Sequence, residues 1–210
     1  MGRGSLQGRL WPDAAPAEAA KRLRQALWRV RRETGARILT VTPVHVGLAA
    51  DVEVDLHRGE RLARRITGAA GPDGVLSRDV PPERPALDAK DVGLLGGVLL
   101  PCWPDGDVRA AGDRWDRLRL LALERLAEHA LASGDTMGAI ELAEAAARVD
   151  GLAETSYRIT AAAHLARADH VSAWRVYTRY RRLLGEEMRL EPSPGFRDLV
   201  ERPRRRTLAS

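Results

Sequence analysis

The chain has 210 residues, of which 44% are hydrophobic and 30% charged, a composition that supports a packed core rather than disorder. It carries one cysteine, Cys102, which excludes an internal disulfide framework and a cysteine-based metal site. No apolar run reaches the ~18 residues of a membrane span, and residues 1–30 lack the apolar core of a secretory leader, so no membrane partner and a cytoplasmic location are expected. The net charge of +5 is concentrated at one end: residues 1–50 hold nine basic and three acidic residues, whereas the remaining chain is close to neutral. That asymmetry points to a polyanion-binding end joined to a different body.

In chain order, residues 1–10 read as a short lead, and Trp11-Pro12-Asp13 as a turn. A helix is expected over 15–34, with Pro16 in its first turn and Gly35 at the position after its end. Leu23, Ala26, Leu27 and Val30 recur on one face, and Lys21, Gln25, Trp28 and Arg32 lie opposite, flanked by Arg24 and Arg29. Residues 37–48, β-branched and interrupted by Pro43, read as two short strands joined by a turn. Helix returns over 54–66 with Leu56, Leu62, Ala63 and Ile66 inward, and residues 67–91, with three glycines and four prolines, read as loop or linker. The apolar stretch 92–100 fits either a buried helical turn or a strand.

From about 111 to 187 the pattern is helical, broken at 133–135, at 150–151 and near 167–170, which gives four helices. A shift of 34 residues superimposes Leu131-Ala132 on Leu165-Ala166, Asp135 on Asp169 and Ala139 on Ala173. Ile140, Leu142, Ala143 and Ala146 then coincide with Trp174, Val176, Tyr177 and Tyr180. Thirty-four is the tetratricopeptide period, in which stacked helix pairs cover one another's apolar faces. Pro192 ends one helix and Ser193-Pro194 begins a last short one, before a basic tail at 202–210. The resulting fold class is mainly α: a basic helix and strand pair at 1–50, which the family resemblance given below implies is a partial winged helix, then a tetratricopeptide-like helical domain at 51–201.

The chemical signal lies in the first helix and the strand pair. A helix with an Arg/Gln/Trp face fits the major groove, where arginine offers a fork to guanine or phosphate and glutamine reads adenine. A hairpin following it can touch the adjacent backbone as a wing, with Thr40 and Thr42 as candidate contacts. The candidate DNA-binding residues are thus Lys21, Arg24, Gln25, Trp28, Arg29, Arg32, Thr40 and Thr42. The same spacing also suits a helix whose arginines are merely solvated, and spacing alone leaves both readings standing. No catalytic set, metal site or cofactor is expected. His45, His57, His129, His164 and His170 show no ligand spacing, and the glycines at 93–97 lack the Lys-Ser/Thr of a phosphate loop. Cys102, between Pro101 and Trp103, is expected to be packed rather than reactive, and Tyr157, Tyr177 and Tyr180 to be core.

Two blocks, Leu10-Trp11-Pro12-Asp13 and Leu23-Arg24-Gln25-Ala26-Leu27-Trp28-Arg29-Val30-Arg31-Arg32, resemble the end of the winged helix in the Streptomyces antibiotic regulatory protein family of transcriptional activators. Val54-Asp55-Leu56-His57-Arg58, the helix around 117–126, the run 177–184 and Leu190-Glu191-Pro192-Ser193-Pro194 resemble its bacterial transcriptional activator domain. The resemblance implies an activator of secondary-metabolite genes that binds direct repeats at promoters and contacts RNA polymerase; the helical body is then expected to serve homodimer formation or polymerase contact. It begins where the second helix of the winged helix would be ending, which implies a truncated DNA-binding domain. It also departs from relatives at His45-Val46-Gly47, where a Gly-Tyr pair is common, and at Gly59, where an aromatic is usual. The alternative implied by an intact repeat body is a protein–protein adaptor without DNA binding of its own.

Overall fold

The computed structural model describes residues 1–35, 37–68, 89–103 and 106–208. The chain divides into two compact units, Met1–Val54 and Asp55–Ser210. The expected linker at 67–91 falls largely outside the described residues.

In the first unit, α1 (Arg3–Leu10) packs on α2 (Pro16–Thr34), and β1 (Leu39–Val41) pairs antiparallel with β2 (Val46–Leu48). The stretch 1–10 is therefore helical from Arg3, which corrects its reading as a lead. Gly4 and Gly8 lower its intrinsic propensity, but its first amide is anchored: the Arg3 N–H donates to the Val44 carbonyl at 3.0 Å, beside a bridge between Gly2 and His45. Helix α2 has the expected boundaries. Pro16 occupies its first turn, and Gly35 closes it with φ of 62°, its N–H on the Arg31 carbonyl. Arg31 and Arg32 in the last turn suit the negative end of the helix dipole. The hairpin pairs Leu39 with Leu48, Thr40 with Gly47 and Val41 with Val46. Pro43 sits at the second position of its four-residue turn, where a fixed φ is an advantage.

The second unit is helical among its described residues: α3 (Asp55–Thr67), α4 (Ala89–Gly96), α5 (Gly106–Ala132), α6 (Thr136–Val149), α7 (Glu154–Ala166), α8 (His170–Met188) and α9 (Pro194–Leu208). Each helix from α5 onward packs on the next, the short connections enforcing antiparallel neighbours. The fold is mainly α and tetratricopeptide-like, as the periodicity implies. Backbone helix continues to Leu208, through most of the stretch the sequence sets apart as a tail.

The 34-residue register is kept residue by residue. Ala139 and Ala173 are both buried, as are Ala143 with Tyr177 and Ala146 with Tyr180. Ile140 with Trp174 and Leu142 with Val176 are both half-buried. Asp135 and Asp169 both cap their helices, accepting from the N–H of Gly138 and Ser172 at 2.9 Å. The preceding turns match as well. Gly134 and Ala168 both have positive φ, 84° and 58°, and donate to Leu131 and Leu165. The first pair packs through alanines into a cluster with Ala127, Ile159 and Ala163. The second packs through tyrosines, with Phe196 and Val200 of α9 completing its cluster.

The remaining core gathers Leu62, Ala63 and Ile66 of α3 with Leu95, Trp115, Ala122 and Leu123. Leu56, expected inward, packs against it from the margin. Arg119 is 5% exposed, paired with Asp116 at 2.8 Å, and donates to the Leu95 and Gly96 carbonyls at the end of α4. Trp115 Nε1 donates to the next carbonyl, Gly97, at 2.8 Å. These donors satisfy a helix end that has no partners of its own. The ambiguous stretch 92–100 thus resolves as helix to Gly96 and irregular chain after it. Cys102 is exposed, which corrects its expected packing. It follows the end of α4 in a surface loop and adopts a φ of 67°, and the apolar neighbours Leu100 and Trp103 are also exposed.

The Leu190-Glu-Pro-Ser-Pro194 motif is a clasp. Glu191 takes a two-pronged pair from Arg181 at 2.7 and 3.0 Å. Ser193 gives its N–H to Glu154 at 2.8 Å and its hydroxyl to the same carboxylate, and accepts the Phe196 N–H at the start of α9.

Candidate nucleic-acid interface

Helix α2 divides cleanly by burial. Ala19 and Leu23 are buried at 3% and 1% exposure, and Ala26, Leu27 and Val30 are half-buried, all on one side. At 100° per residue, Lys21, Gln25, Trp28 and Arg32 fall within one sector centred opposite that stripe. All four are exposed, and Arg24 and Arg29, exposed as well, border the sector on its two sides.

Trp28 is 60% exposed, and the Arg32 guanidinium lies over its ring, 5.1 Å from the centroid. This cation–π contact limits the rotamers of both side chains and presents a flat cation beside a flat aromatic. One turn toward the N-terminus, Arg22 is drawn to Glu18 at 3.0 Å and lies away from the sector. The face therefore offers guanidinium forks, a carboxamide able to pair with an adenine edge, and an indole for stacking or sugar contact.

The hairpin carries the other two candidates. Thr40 is exposed on β1 opposite Gly47. Thr42 is exposed, but its hydroxyl closes the turn: it accepts the His45 N–H at 2.9 Å and donates to the His45 carbonyl at 3.2 Å. Arg3 Nη1 donates to the Thr42 carbonyl at 3.3 Å, bringing a cation from α1 to the turn. The sequence offers no signal for that arginine, because only the chain path sets α1 beside the hairpin. His45-Val46-Gly47 has a structural reading: His45 meets the Met1 amine, Val46 is buried, and Gly47 carries no side chain beside the His45 ring. Gly59 likewise has a reason. A Cβ there would lie 2.7 Å from Trp115 Cη2, so the aromatic at this place in the core comes from α5 instead of α3.

Among the described residues no cluster of three or more His, Cys, Asp or Glu side chains could hold a metal, and no helix is long and apolar enough to cross a membrane. Residues 54–202 match the family model described as bacterial transcriptional activator domain. No curated protein matches the chain.

Proposed function

Because the chain belongs to the bacterial transcriptional activator domain family, we propose that it is a DNA-binding transcriptional regulator that contacts promoter DNA through the exposed face of α2. The observation that carries this reading is the partition of α2: a buried apolar stripe on one side, and Lys21, Gln25, Trp28 and Arg32 on the other, in a segment that holds the net positive charge. The family match supports a role in transcription and reaches only residues 54–202, so DNA contact rests on the α2 face and on the charge of residues 1–50.

In this reading α2 is the recognition helix and β1–β2 the wing. Gln25 reads a base edge, Trp28 makes apolar contact, and Arg24, Arg29, Arg32 and Lys21 hold phosphates. Thr40 reaches backbone from the wing, and Thr42 contributes through the turn it shapes. The helical unit contacts RNA polymerase and pairs with a second copy, and the direct repeats of a promoter position the copies. The protein acts in the cytoplasm on secondary-metabolite genes, as a regulator rather than a catalyst.

Fluorescence anisotropy against operator variants at several salt concentrations tests this. Gln25→Ala should change preference among sequences by about 1–3 kcal/mol. Arg32→Ala should weaken all sequences alike and reduce the log–log salt slope by about 0.9. If neither substitution alters DNA binding while Tyr177 variants abolish capture of a protein partner, the adaptor reading replaces this one.

A further inference from the structure

A groove of about 290 Å³ opens between α6, α7 and α8. Arg148 on α6 and Arg179 on α8 both line it, and both are exposed. Neither forms an ion pair or side-chain hydrogen bond with any described residue. Other arginines of the same unit are engaged: Arg119 with Asp116, Arg125 with Glu128, Arg181 with Glu191 and Arg182 with Glu186. Glu144, one turn before Arg148, also lines the groove, so its lining charges are two positive and one negative.

The floor is α7, and its hydroxyl hydrogens point inward. Ser156 Oγ donates to Glu124 Oε1 at 3.0 Å, and Thr160 Oγ1 donates to the Ser156 carbonyl at 3.0 Å. Burial pushes the Glu124 carboxyl above its ordinary range. With the Ser156 and Thr160 hydroxyls spent, the charged donors of the groove are the two guanidiniums. Between them, Ala147, Val176 and the Tyr157 ring give an apolar lining, and that ring is held by Tyr180 at a centroid distance of 4.6 Å. The volume is near the lower end of small-ligand sites, enough for one ring.

We propose that this groove binds a small organic oxyanion, its charged head between Arg148 and Arg179 and its ring or short apolar body against Tyr157. Paired guanidiniums favour a planar or tetrahedral oxyanion through charge-assisted, two-pronged bonds. The inward-spent hydroxyls dictate the orientation, head outward and body inward.

Isothermal titration of the full chain with phenyl phosphate tests the site, with phenol and inorganic phosphate as comparisons. Saturable binding is expected, with phenol and phosphate each at least tenfold weaker. Arg148→Gln combined with Arg179→Gln should weaken phenyl phosphate at least tenfold while circular dichroism and melting temperature stay unchanged, since neither side chain has an internal partner to lose. Arg175→Gln, one turn from Arg179 on α8 and outside the groove, should leave binding intact. The proposal is overturned if no saturable binding occurs below about 10 mM, if phenol or phosphate binds as tightly, or if Arg175→Gln weakens binding as much as the double substitution.

Discussion

Gly59→Ala has opposite signs in two backgrounds. Gly59 sits inside α3, where glycine costs about 1 kcal/mol relative to alanine, so the substitution should stabilise an unobstructed helix by that amount. Here the added methyl would lie 2.7 Å from Trp115 Cη2 and 3.3 Å from Cζ2. The indole has no easy retreat: it is 3% exposed and its Nε1 is bonded to the Gly97 carbonyl at 2.8 Å. Overpacking of this kind costs roughly 1–3 kcal/mol, with loss of that hydrogen bond adding about 1 kcal/mol if the ring tilts away. The net expectation is destabilisation by about 1–2 kcal/mol. Trp115→Leu removes the obstructing ring and is itself destabilising, but in that background Gly59→Ala should stabilise by about 1 kcal/mol. The coupling in the double-mutant cycle is then about 2–3 kcal/mol. Guanidinium unfolding followed by circular dichroism at 222 nm measures all four forms. The same sign for Gly59→Ala in both backgrounds would refute the claim that the indole occupies the glycine's side-chain space.

Ala173→Leu should cost roughly 1–3 kcal/mol by overpacking the α7–α8 seam, and an unchanged melting temperature would show that the repeat register is wrong. Ala168→Gly should raise stability by about 0.5–1 kcal/mol, because Ala168 holds a left-handed φ of 58° that costs alanine more than glycine's extra chain entropy; thermal melts check it. The two hydrogen bonds from Ser172 hold the Asp169 carboxyl below its ordinary value of 3.8, so its cap is fully present above that pH and is lost as pH falls through the lowered value. Asp169→Asn should accordingly flatten the acid side of the melting curve, and an identical acid slope would sink the assignment. Glu124→Gln should stabilise the chain increasingly as pH rises above 4.5, because burial raises the carboxyl's pKa and the amide oxygen keeps the Ser156 bond; a loss of stability at pH 7 in urea titrations would contradict this.

Periodicity made the helical unit readable. Its apolar positions recur at fixed intervals, and Asp135, Gly134 and Asp169 mark the turns with residues whose backbone and capping preferences are local. Helix α2 was legible for the same reason, and so were the sides of its candidate face, since a stripe of Leu23, Leu27 and Val30 leaves only one direction for Gln25 and Trp28. Helix α1 was not, because Gly4 and Gly8 weaken its propensity and its first amide is held by residues some forty positions away. The end of α4 was hidden by an apolar run that suits helix or strand, and it is set by donors on Trp115 and Arg119 that no local pattern announces. Tyr157 illustrates the limit of spacing: it shares a helical period with core tyrosines but is only half-buried, and it meets Arg148 and Arg179 only once three helices are stacked.

The change from alanine to tyrosine at matching positions gives the stack a finished end and an extensible middle. Where Ala139 and Ala143 sit, the seam is thin and Ala127 and Ala163 supply similarly small surfaces, so another 34-residue unit inserted there would meet contacts of a kind already present. Where Tyr177 and Tyr180 sit, the rings demand Phe196, and α9 arrives clasped by Glu154. Array length in such a protein is thus adjustable by whole units between α6 and α8, while everything after α8 behaves as a stopper that must travel with the last unit.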